Sequence, residues 1–240
     1  MGSCARSFLL PQERNDMVEH MIHPAKLFKR IHRREGYQHA GRHASFKIWV
    51  NQKDSDNTIY LCFQGSNGLV DWLHNFLAVV TSMQPYSGCG WWVHKGFALV
   101  WRSASEIIMG RLMEMHRALP NFDIVFCGFS HGAALAQLAA QNWHHLTGQR
   151  RQCVIFGGPK LAWTGKGNAM QVLNNAMILT NWINPLDAVT GVPLSRWLFA
   201  HVRIDKVKRS GSRLRLFNIR KEHQIYDREE IYPKNWRKAA

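Results

Sequence analysis

The chain has 240 residues, 46% of them hydrophobic, and a formal net charge of +15. That length can bury one sizeable core, no Ser/Gly/Pro-rich linker divides it, and no apolar run approaches the roughly 18 residues of a membrane span, so a soluble globular protein is expected. The positive excess attracts polyanions, whether nucleic acid, anionic lipid headgroups or an acidic partner, and by itself does not choose among them.

In chain order, Ser7-Phe8-Leu9-Leu10 is followed at once by Pro11 and is too short for the apolar core of a secretory signal. Cys4, Cys62, Cys89, Cys127 and Cys153 are odd in number, form no C-x-x-C pair and fall in three cases in or beside predicted strands. Reduced core thiols in a reducing, cytoplasmic compartment are therefore expected. Residues 12–35 read as one or two basic helices broken at Pro24, residues 36–41 as a loop, and residues 1–43 together as a peripheral arm carrying Lys26, Lys29, Arg30, Arg33 and Arg34. Ala44 to Val50 and Thr58 to Phe63 form a hairpin around Asp54-Ser55-Asp56-Asn57. Leu69, Trp72, Leu73, Phe76 and Val80 recur at helical spacing and predict a short amphipathic helix. Trp91, Trp92 and Trp101 are assigned to the core, and a longer helix is predicted from Phe97 to Ala118.

Phe122 to Cys127 is a short apolar run bounded by Pro120-Asn121, as expected of a buried strand, and Ala133 to Ala140 is a small-residue helix. Between them stands Gly128-Phe129-Ser130-His131-Gly132, a G-x-S-x-G pattern. Strand, sharp turn and helix in that order expose a serine hydroxyl while the following backbone N–H groups converge on one point, the geometry acyl transfer needs. Strands at Gln152 to Phe156 and Ala176 to Ile183 follow, with a helical stretch near Asn168 to Asn174 between them, and a basic hairpin from His201 to Val207 and Leu214 to Ile219 closes the chain. Alternating strand and helix argue for a mostly parallel sheet covered on both faces, the α/β class.

A serine hydroxyl needs a base to take its proton and an acid to hold that base in the right tautomer. In the α/β-hydrolase order Ser, acid, His, each partner lies on a loop beyond the carboxyl end of a strand. Asp187, past the strand ending at Ile183, and His223, past Ile219, meet that condition for Ser130. Asp205 lies inside a strand, His201 opens one, and His144 and His145 sit on the helix behind the serine. The backbone N–H of His131 supplies one donor for the oxyanion of the tetrahedral intermediate, and the loop Phe63-Gln64-Gly65-Ser66 is placed to supply another. The His131 side chain is expected to point into the helix that follows.

Cys62 to Ser66 with Asp71-Trp72-Leu73 resembles the F-R-G-[ST] and D-W-L segments of the class 3 (fungal-type) lipases, and His94-Lys95-Gly96-Phe97 is similar to their H-x-G-F. Phe156 to Lys160 resembles F-G-x-P-R, Asn184 to Val189 with Pro193 resembles N-x-x-D-x-V and its downstream proline, and His223 with Tyr226 resembles H-x-x-x-Y. These segments keep one order over residues 45–227. The resemblance implies an α/β-hydrolase fold over residues 44–240, a triad of Ser130, Asp187 and His223, an oxyanion donor from Ser66, and a lid formed by the helix from Leu69. The chain departs from the family pattern at Phe129, where His is usual, at His131, where Leu or Met is usual, and at Gln64, where Arg is usual.

The expected activity is cleavage of carboxylic esters of lipids, acylglycerol or phospholipid, through an acyl-enzyme. No metal or organic cofactor is expected, since no H-E-x-x-H or Cys/His ligand spacing occurs and His39 with His43 does not make one. A lipid or ester substrate and peripheral contact with an anionic membrane are the expected partners, nucleic acid being disfavoured. The alternatives are a nonenzymatic basic protein of the same fold that binds nucleic acid or membrane, and an esterase or thioesterase for small soluble substrates.

Overall fold

In a computed structural model the chain is described over residues 22–41, 43–52, 57–65, 80–82, 91–165, 167–193, 198–207 and 222–236. The mainly apolar runs become strands buried on both sides over most of their length: β3 (Thr58–Phe63), β6 (Asp123–Phe129), β7 (Arg151–Phe156) and β9 (Met177–Ile183). With β1 (Gln38–Ala40), β2 (Ala44–Asn51) and β11 (Asp205–Lys206) they form a sheet ordered β1-β2-β3-β6-β7-β9-β11, antiparallel at the first two pairings and parallel from β3 onward. The register pairs Phe63 with Gly128, Phe129 with Phe156, and Phe156 with Trp182, so the carboxyl ends of four neighbouring strands stop at one level. Ligands and catalytic groups in open α/β sheets collect at that rim. A smaller antiparallel sheet carries β4 (Val80–Ser82), β5 (Trp92–His94), β8 (Ala162–Trp163) and β10 (Phe199–Ala200).

Period-2 alternation divides the core. Ile59, Leu61 and Phe63 of β3 face one cluster and Tyr60 and Cys62 the other. The first cluster is covered by α2 (Lys95–Ala118), α3 (His131–Thr147) and α4 (Ala169–Ala176). Trp91 and Trp101 are buried there, whereas Trp92 is 37% exposed. On the opposite face lies α1 (Pro24–His32) with Ile225, Tyr226, Ile231 and Tyr232. Cys62, Cys127 and Cys153 are buried free thiols, with Cys4 and Cys89 outside the described residues.

Five sequence expectations change. Pro24 opens a helix instead of breaking one: it stands at the first helical position, where its fixed φ is pre-organised and its missing N–H costs nothing, and His23 Nδ1 caps the turn by accepting from Ala25 N at 3.2 Å. That helix is not peripheral, since Leu27, Phe28 and Ile31 are buried on the sheet, each contributing about 1.5–3 kcal/mol of transfer free energy. Gln38–Ala40, in the expected loop, pairs with β2, so a domain boundary at residue 43 would cut a hairpin. Val80 opens a strand and does not end a helix; residues 66–79 lie outside the described residues.

The fifth change concerns the expected strand from His201 to Val207, which among the described residues shrinks to Asp205–Lys206 and pairs in parallel with β9. Side-chain polarity explains the interruption. Asp205 accepts from Asn181 N at 2.8 Å and from Arg203 Nε at 3.0 Å, while Asn181 Nδ2 donates to the Arg203 carbonyl at 2.8 Å, which takes groups a ladder would use. Leu214 to Ile219 lies outside the described residues.

Candidate active site

The turn after β6 forces Ser130 to φ 56°, ψ −125°, a left-handed conformation that costs an L-residue about 1–3 kcal/mol. It is held by Ser130 N donating to the Phe156 carbonyl at 3.0 Å and by Ala133 N donating to the Ser130 carbonyl at 2.9 Å. The helix can start so close to β3 because residue 132 is glycine. A Cβ there would collide with the Phe63 carbonyl and sit 2.6 Å from that of Gln64.

Asp187 follows β9 and caps the 3-10 turn Ala188–Gly191, its Oδ1 accepting from Val189 N at 3.0 Å. Its other oxygen, Oδ2, lies 2.7 Å from His223 Nδ1 and accepts from the Tyr226 hydroxyl at 3.1 Å. A carboxylate facing Nδ1 fixes the proton on that nitrogen and leaves Nε2 with the lone pair. The Tyr226 hydroxyl in turn accepts from Asn184 N at 2.9 Å, and Asn184 Nδ2 donates to the Glu222 carbonyl at 2.9 Å, which ties the Asp187 loop to the residue before His223. Burial, and then the Asp187 charge, push the Tyr226 phenol up, so it stays a neutral donor.

These residues meet at the rim. The Phe129 ring packs on the His223 imidazole at 4.5 Å between centroids, tilted by 31°. Gly157, at φ 53°, leaves room where a Cβ would be 2.9 Å from Asp187 Oδ2 and 3.1 Å from His223 Cε1. Ser130 Oγ and His223 Nε2 are both buried, and neither has a hydrogen-bond partner among the described residues, so the two do not bond to each other here. Unpaired buried polar groups cost about 1–3 kcal/mol each, and catalytic hydrogen bonds without substrate are commonly long. Ser66 lies outside the described residues; Gly65 before it is packed so that a Cβ would lie 3.1 Å from Ser130 Cβ.

His131 opens α3, where first-turn N–H groups lack intrahelical acceptors, so its amide stands beside Ser130. Its side chain packs 5.5 Å from the Phe97 ring of α2. The other histidines weighed from sequence have different partners: His201 Nε2 lies 2.8 Å from the Thr190 carbonyl, and His39 Nδ1 2.9 Å from Ser45 Oγ. Phe129 and Gly157 carry no role legible in sequence; only the motifs containing them mark them out.

Burial, and then the nearby His43, push the His131 imidazole down to about 4. Its folded value is thus below the unfolded one near 6.5, and the unfolded chain binds the extra proton as pH falls from 6.5 to 4. Stability should drop across that window, by up to about 3 kcal/mol from this residue at 1.36 kcal/mol per unit. Urea midpoints of the native protein and His131→Leu between pH 7 and pH 4 check this: the variant should lose part of the acid sensitivity, and identical slopes would count against it.

A family model described as lipase (class 3) matches residues 60–197, more than half of the chain. A lipase of Rhizomucor miehei is 26% identical over 156 residues, covering 63% of this chain and 42% of that protein, so the chain spans less than half the length of this relative. The solved Rhizomucor miehei triacylglyceride lipase superposes with a TM-score of 0.60 at 20% identity, over 83% of this chain and 81% of that one. A triacylglycerol lipase whose catalytic centre is a serine protease triad superposes equally, with a TM-score of 0.60, 20% identity and coverage of 83% and 81%. These likenesses establish the α/β-hydrolase fold.

Proposed function

The chain belongs to the class 3 lipase family, and from that premise we propose that it is a serine hydrolase of carboxylic esters of lipids, working through an acyl-enzyme. The observation that carries the reading is the 2.7 Å contact of His223 Nδ1 with Asp187, beside two buried unpaired atoms, Ser130 Oγ and His223 Nε2. Ser130 Oγ attacks the ester carbonyl carbon while its proton passes to His223 Nε2. Asp187 stabilises the imidazolium, and Tyr226 and Val189 N hold the carboxylate in place. The oxyanion is received by the His131 amide and by a donor from the loop carrying Ser66. Collapse of the intermediate breaks the bond to the alcohol, which leaves with the proton from His223. Water, deprotonated by the same imidazole, then releases the fatty acid and restores the serine.

The activity is tested with p-nitrophenyl esters of increasing chain length, followed by stopped flow below and above their aggregation threshold. A p-nitrophenol burst equal to the protein concentration, with turnover rising for aggregated long-chain esters, is expected. A rate confined to short soluble esters would move the substrate to small molecules, and absence of any burst or turnover would leave a nonenzymatic binding protein of the same fold.

A further inference from the structure

Helix α1 carries cations that the fold does not use. Lys26, Lys29, Arg30 and Arg33 recur at i, i+3, i+4 and i+7 on the exposed side, Arg34 follows, and no acidic residue lies between Pro24 and Arg34. The opposite stripe, Leu27, Phe28 and Ile31, is buried. Cations near the carboxyl end complement the helix dipole, which accounts for Lys29 and Arg30. It does not account for Lys26 in the first turn, where positive charge is unfavourable and no acidic residue of that turn offsets it. Like charges three and four residues apart also repel along the helix. Lys26, Lys29, Arg33 and Arg34 form no ion pair with a described residue, and the Arg30 guanidinium rests on the Trp49 ring at 4.1 Å. Asp227 of the adjoining turn acts on His32 at the end of the helix.

The inner face of the same helix reaches the candidate site. Phe28 packs edge-on against Phe129 at 5.1 Å, and Phe129 lies on the His223 ring at 4.5 Å. We propose that the outer face of α1 is a docking surface for the anionic headgroups of a lipid bilayer, keeping the protein at the layer that supplies its substrate. A repulsive row of cations is relieved by a sheet of negative charge, and a helix with its apolar side locked into the core transmits that attachment rigidly to the site. The inference rests on the lipid-ester reading for its purpose, while its test reads binding directly.

The test is sedimentation of the full chain with mixed phosphatidylcholine–phosphatidylglycerol vesicles and with pure phosphatidylcholine. The native protein should bind only the mixed vesicles, and raising salt from about 0.05 to 0.5 M should release it. A variant with Lys26→Gln, Lys29→Gln, Arg33→Gln and Arg34→Gln should partition about 600-fold less, at roughly fivefold per cation. A control with Lys95→Gln, Arg102→Gln and Arg117→Gln, on α2 across the sheet, should bind nearly as the native protein does. Equal loss in both variants would assign the effect to net charge and overturn the proposal, as would unchanged binding by the α1 variant. Loss of DNA-duplex binding by that variant with vesicle binding intact would overturn it in favour of a nucleic-acid surface. Should the multiple variant not fold, Lys29→Gln and Arg33→Gln singly, with the salt titration of the native protein, carry the same comparison. Turnover of water-soluble p-nitrophenyl butyrate, expected to be unaltered by the α1 changes, separates the two readings: its absence from the native protein sinks the hydrolase while the vesicle result stands.

Discussion

Asp187→Asn is expected to lower kcat for ester hydrolysis by about 10⁴-fold, the loss seen when the carboxylate of a serine triad becomes an amide, with little change in fold. The carboxylate accepts on both oxygens: Oδ2 from His223 Nδ1 and the Tyr226 hydroxyl, and Oδ1 from Val189 N. An amide satisfies only one side. With its NH₂ toward His223 it faces two donors, and the imidazole must move its proton to Nε2, the nitrogen that has to accept from Ser130. Turned over, the NH₂ meets Val189 N–H, and the turn that positions residue 187 is pushed away. In the proposed triad Ser130, Asp187 and His223 act as a unit, so the double variant Asp187→Asn, His223→Ala should be little slower than His223→Ala alone. Steady-state kinetics with circular dichroism on the three proteins decide the matter: a loss below about tenfold in Asp187→Asn would remove Asp187 from the reaction.

Gly132→Ala is expected to damage stability and turnover together. The added methyl would meet the carbonyls of Phe63 and Gln64, the latter at 2.6 Å, and both are backbone atoms at the end of β3 that cannot rotate aside. Relief requires α3 to lift from the sheet, starting two residues from Ser130, or the 64–65 segment to shift, where a Cβ on Gly65 would already lie 3.1 Å from Ser130 Cβ. Overpacking of this kind costs about 1–3 kcal/mol, and displacement of the serine and the His131 amide should reduce kcat by about a further 10²-fold. Gly110 offers the contrast, since it lies inside α2 with nothing within 4 Å of its Cβ position, so Gly110→Ala should stabilise by about 0.5–1 kcal/mol and leave kcat unchanged. Urea midpoints and ester kinetics on both variants test the pair. Equal stabilities for the two would show that the close approach of α3 to β3 does not constrain the chain.

Much of the site was legible because its logic is one-dimensional. A serine between an apolar strand and an alanine-rich helix, an aspartate after the next-but-one strand and a histidine near the end need only chain order and strand ends, and the register of β6, β7 and β9 brings those ends to one level. The class of fold followed from the same alternation. What sequence hid was three-dimensional. The basic residues of α1 point to a solvated arm, yet Leu27, Phe28 and Ile31 between them form a stripe that the free face of the sheet requires. Asp205 belongs to a strand, as its setting predicted, but the polar contacts of Asn181, His201 and Arg203 stop that strand from extending back to residue 201. Phe129, which departs from the family pattern, becomes intelligible only with coordinates: it fills an aromatic cluster with Phe28, Phe156 and Tyr226 and gives the imidazole a flat wall. The Ser66 donor and the helix from Leu69 fall on residues outside the described part of the chain, where the oxyanion and lid expectations stand as sequence readings.

The most direct measurement of whether serine, imidazole and carboxylate work together is reaction with a fluorophosphonate followed by peptide mass mapping. One adduct on Ser130 is expected, absent from Ser130→Ala and formed far more slowly in His223→Ala and Asp187→Asn. An adduct elsewhere, or labelling that survives Ser130→Ala in folded protein, would contradict the assignment of the nucleophile and the mechanism built on it.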